Sequence, residues 1–125
     1  LLESFILKLP AFSSLPACES LSLVQIDHAQ SEGDPRSCYS EHIKAESLDV
    51  TLTWDGLGTP TALELAAELT GGKENELYTL LIESTKPSIQ INGRTLPGTP
   101  VERLQADIKT TTAFLYFSET WIRPA

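Results

Sequence analysis

Residues 59–72 read TPTALELAAELTGG, and the fold class turns on whether they form a helix. Thr59 suits an N-cap, because its hydroxyl can accept a hydrogen bond from a free amide of the first turn. Pro60 suits the first helical position, where its missing N–H would have no partner anyway. Ala62, Leu65, Ala66 and Leu69 recur at helical spacing, and Gly71-Gly72 offers a left-handed C-cap. The spacing therefore predicts a helix with its apolar stripe on the body of the domain.

Upstream, residues 47–54 (SLDVTLTW) alternate as a half-buried strand does. Leu48, Val50, Leu52 and Trp54 point one way, and Asp49, Thr51 and Thr53 the other. Ile43 and Ala45 fall on the opposite parity, which predicts a bulge near Glu46, and Asp55-Gly56 is expected to break the strand. Residues 28–40 (HAQSEGDPRSCYS) have no apolar period and read as a long polar loop. Residues 21–27 are a strand candidate with a parity fault near Leu23. Leu2, Phe5, Ile6 and Leu9 mark a short amphipathic helix ended by Pro10, and residues 10–20 a connector.

Downstream, residues 74–84 (ENELYTLLIES) fit a helix through Leu77, Leu80 and Leu81, or a strand through Tyr78, Leu80 and Ile82. The acidic first turn tips the reading toward helix, and Lys86-Pro87 is expected to end the segment. Asn92-Gly93 between Ile89, Ile91 and Leu96 predicts a hairpin with a type I′ turn. Thr99-Pro100 with Glu102 predicts a capping box and a short helix through Val101, Leu104 and Ile108. Residues 110–118 (TTTAFLYFS) are β-prone and read as a central strand. Together these elements predict one α+β domain over residues 1–125. Its sheet would be mixed or mainly antiparallel, with two to four helices packed on one face.

At 125 residues and 41% apolar, the chain has enough material for one core. Nine basic against 17 acidic residues give a net charge of −8, which argues against nucleic acid and anionic membrane as partners. No apolar run approaches the ~20 residues of a membrane-spanning helix. Residues 1–9 are not read as a secretory signal, because Glu3 and Lys8 interrupt them. The sequence assigns no compartment.

All cysteines and histidines lie at Cys18, His28, Cys38 and His42. By type they make a tetrahedral zinc set, but they lack the close Cys pair from which structural zinc sites begin. They are therefore carried as an alternative metal set, with no metal or cofactor expected. The thiols read as free and buried, although a Cys18–Cys38 disulfide is possible by sequence. Cys38 with His42 resembles a nucleophile and base by type, with no orienting acid or oxyanion hole to support it. Asp27, Glu32, Asp34 and Glu41 show neither a catalytic pair nor a calcium-loop spacing. Gly56-Leu57-Gly58 reads as a turn rather than an anion site, since no P-loop lysine follows and Pro60 removes an amide. Trp54 and Trp121 read as core or interface aromatics.

No catalytic residues are predicted. The expected function is a non-catalytic structural or assembly subunit of a homo-oligomeric complex, its partners copies of itself or a larger assembly. Phage tail-terminator and neck proteins share its size and expected helix–strand mixture, so a virion component is the setting that this analogy suggests, with no motif in common. The alternative is a small acidic binding module, such as an immunity or inhibitor protein, that docks on a basic partner.

Overall fold

The computed structural model describes residues 24–69, 75–105 and 108–122. The described part of the protein is nearly all sheet, a curled antiparallel half-barrel. It has nine described strands: β1 (His28–Asp34), β2 (Cys38–Ala45), β3 (Leu48–Leu57), β4 (Thr61–Leu65), β5 (Asn75–Ile91), β6 (Arg94–Thr95), β7 (Glu102–Gln105), β8 (Ile108–Thr111) and β9 (Phe114–Ile122). The predicted α+β architecture is thereby corrected, for no α-helix occurs among the described residues.

The connectivity is simpler than the strand count suggests. β1 pairs β2, β2 pairs β3, and β3 pairs residues 84–91 of β5, all antiparallel. β4 continues the line of β3 along the same side of β5, pairing residues 77–81. Leu57 faces Ser84 and Thr61 faces Leu81, so residues 58–60 oppose only two residues of β5. That extra residue is a bulge, pinned by the Gly58 amide donating to the Glu83 carbonyl at 2.9 Å. On the other side of β5, β6 pairs residues 90–91 and β9 pairs residues 75–83. The described sheet is thus a meander of five columns, with the β7–β8 hairpin inserted between β6 and β9.

The predicted helix over residues 59–69 is β4 followed by one 3-10 turn, Ala67–Leu69. Thr59-Pro60 lies in the bulge, where proline's missing N–H disrupts no ladder. Burial follows period two: Leu63 (7% exposed) and Ala67 (0%) are inside, whereas Ala62 and Ala66 of the helical stripe are exposed. Gly71 and Gly72 lie outside the described residues.

Residues 74–84, read as helix, belong instead to the 17-residue β5, and Pro87 does not end it. Pro87 pairs with Trp54 of β3, and it lies in the stretch of β5 between its β9 and β6 ladders. There the lack of an N–H is tolerated on the open side. The helix expected after Thr99 is the β7–β8 hairpin, and Glu102 bridges Lys109 at 2.7 Å instead of capping. The polar loop over residues 28–40 is β1, a turn at residues 35–37, and the start of β2. The strand expected over residues 110–118 splits into the end of β8 and the start of β9. It is not central, since β9 pairs only with β5 among the described strands.

The strand at residues 47–54 and the hairpin at residues 88–96 form. Asn92 (φ 50°) and Gly93 (φ 77°) supply the two left-handed residues that a type I′ turn needs. β3 runs on through Gly56 to Leu57. No bulge is needed near Glu46: Ala45 pairs with Leu48 across a two-residue turn, which puts both on one face. The amphipathic segment at residues 1–9, the connector at 10–20 and Cys18 lie outside the described residues. Residues 24–27, the described part of the strand candidate, form no strand.

Candidate interaction surface

Cross-strand partners share a face, so the register sorts the side chains of β1, β2, β3 and the second half of β5. Tyr39 pairs Trp54, Ile43 pairs Val50, and Ala45 pairs Leu48. Leu52 pairs Ile89, and Val50 pairs Ile91. Ala29, Ser31 and Gly33 of β1 fall on this same face, and within it only Glu41 and Arg94 bear charge. The opposite face carries Glu32, Asp34, Lys44, Asp49, Asp55 and Lys86. Within these strands the charged side chains therefore lie mainly on one side of the sheet, and the other side is almost free of them.

The apolar face is the concave one. Tyr39 of β2 meets Phe117 of β9 edge to face, with ring centroids 6.4 Å apart. Those strands are separated by two columns, so their rings can meet only where the sheet curls inward. Trp54 leans against Tyr39, with centroids 6.2 Å apart, and its indole N–H donates to the Phe114 carbonyl at 3.1 Å. That bond satisfies the indole dipole while its ring stays in apolar surroundings. Phe114 in turn packs on Tyr116, and the Arg103 guanidinium sits 4.9 Å above its ring.

The concave face is only partly filled. A groove of about 460 Å³ runs between Leu52, Trp54 and Ile89 on one wall and Leu96, Pro97 and Phe114 on the other. Ile89 is 44% exposed, Leu96 43% and Phe117 43%.

The candidate metal set does not converge among its described members. Cys38 and His42 share a face of one strand, four residues and therefore about 13 Å apart along it. A helix would have brought them within one turn, but a strand does not, and the same distance separates them as nucleophile and base. His28 faces Lys44, and His42 faces Gln30. His42 Nε2 meets Asp49 Oδ1 at 2.8 Å, and Lys44 Nζ lies 3.8 Å from Asp49 Oδ2. Cys38 is free but exposed, which corrects the expectation of a buried thiol. Among the described residues, no group of three or more His, Cys, Asp or Glu is placed to hold a metal ion. No described helix is long and apolar enough to cross a membrane.

The acids considered from sequence do not share one face. Glu41 lies on the apolar face opposite Leu52 and Ser31, while Glu32 and Asp34 lie on the polar one. Asp34 caps its own turn, accepting the Arg36 amide at 2.9 Å. On the outer hairpin, Glu102 holds the Lys109 ammonium above its usual pKa by hydrogen bond and charge. The concave groove was missed from sequence, although the alternation at residues 48–54 signalled one of its walls. No family model, curated protein or solved structure matches the chain.

Proposed function

We propose that this domain is a non-catalytic assembly subunit whose open half-barrel is completed by other copies of the same chain. One observation carries the reading: on β1, β2, β3 and the second half of β5 the concave face is apolar, with Glu41 and Arg94 its charged residues, and it is left partly uncovered. A sheet with one apolar face gains stability by burying it against a second layer. At ~25 cal/mol per Å² of apolar area, covering Ile89, Leu96 and their neighbours would contribute several kcal/mol to association. The likeness to phage tail and neck proteins rested on a helix–strand mixture that the described residues lack, so it adds nothing here.

Light scattering over a concentration series tests the reading. A mass above the monomer that falls to the monomer on Ile89→Lys supports it. A monomer at every concentration overturns it and favours the acidic module that docks on a basic partner.

A further inference from the structure

The half-barrel has an edge that suits a second copy. β1 is the outermost column on its side: it pairs only with β2 among the described strands, and all seven of its residues are exposed. Natural sheets guard such edges with proline, charged side chains (lysine above all), bulges or covering loops, because the outward N–H and C=O groups pair readily with another strand. β1 reads HAQSEGD: it contains neither proline nor lysine, and its two carboxylates, Glu32 and Asp34, sit at its C-terminal end, leaving His28 to Ser31 without an acid. Its regular stretch ends at Gly33, whose φ of 101° leaves the extended region. An added Cβ there would collide with the Cys38 carbonyl oxygen, so the turn into β2 depends on this glycine.

We propose that β1 pairs antiparallel with β1 of a second copy, about a two-fold axis through Gln30. The regular stretch from His28 to Glu32 is centred there. In this register His28 faces Glu32 of the second copy, Ala29 faces Ser31, and Gln30 faces Gln30. The pairing is isologous, as two-fold symmetry requires, and opposes no like charges. Gln30 can bond its counterpart, amide to amide, on the polar face. On the concave face the small residues Ala29 and Ser31 meet, and the apolar surfaces of the two half-barrels run on into each other. The inference rests on the assembly reading and names its contact.

The test is thiol cross-linking in the full chain with Cys18→Ser and Cys38→Ser as background, on samples whose mass is measured in parallel. Directly opposite residues of an antiparallel pair have Cα atoms about 4.5–5.5 Å apart, within disulfide reach. Gln30→Cys is expected to form an oxidised dimer several-fold faster than His28→Cys or Glu32→Cys alone. Mixing the His28→Cys and Glu32→Cys chains is expected to restore fast cross-linking, because the register sets those positions opposite each other. An oligomeric sample that cross-links equally slowly in all cases overturns the edge contact and leaves the assembly reading standing. A monomeric sample without cross-links overturns both.

Discussion

The two halves of β5 live in different surroundings. Residues 75–83 lie between β4 and β9, and residues 84–91 run beside β3 toward the Asn92-Gly93 turn. Every buried apolar residue described belongs to the first region or its flanks: Leu63, Ala67, Leu81, Ile82 and Leu115. Leu81 and Ile82 are neighbours in sequence and so point to opposite faces, yet both are under 5% exposed. That region is covered on both sides. The other region, with β1, β2 and β3, has no fully buried apolar side chain; its inward residues are half-buried or, like Ile89, exposed. One chain thus contains a finished core and an unfinished one, joined by a single long strand.

The difference predicts a graded response to substitution. Ile82→Ala should have the largest effect, about 2–5 kcal/mol of lost stability in denaturant unfolding, since it empties a packed site. A loss below about 1 kcal/mol would deny that this region is the core. Gly33→Ala should cost about 1–3 kcal/mol, because it forces a side chain onto left-handed backbone against the Cys38 carbonyl. Asn92→Ala should follow at about 1–2 kcal/mol. Asn92 accepts the Asp49 amide at 2.8 Å and donates to the Ser47 carbonyl at 3.2 Å, tying the two hairpin ends together.

Ile89→Ala sharpens the contrast. It should cost the dilute monomer about 1 kcal/mol, well below the Ile82 value, since nearly half of its surface is still in water. It should nevertheless shift the concentration dependence of the mass. Loss of stability comparable to Ile82→Ala would show that the concave face is already packed within one chain. Lys109→Ala should leave the unfolding midpoint unchanged, because its bridge to Glu102 is between exposed groups on the outer hairpin.

What could be read from the sequence follows the same division. The alternation from Leu48 to Trp54 and the Asn92-Gly93 turn were legible because each signal has one structural solution. Residues 61–69 were not. Leu, Ala and Glu are strong helix formers, and the apolar positions fit both period 3.6 and period two. Pairing with residues 77–81 of β5 decided for the strand, a contact that no local window contains. The candidate site was half legible: Leu48, Val50, Leu52 and Trp54 gave one wall. Ile43 and Ala45 were misassigned to the other parity, because the two-residue turn at Glu46-Ser47 was not recognised. The pairing of Cys38 with His42 looked plausible only on a helical spacing, which β2 does not have.

The most direct test of the account is amide hydrogen exchange, read strand by strand at low and high protein concentration. Exchange at the open edge reports whether other copies cover it, while the core strands serve as an internal reference. The account predicts that protection of β1 and β2 rises with concentration, while residues 77–82 of β5 keep the same protection throughout. Protection of β1 and β2 that does not change with concentration would contradict it.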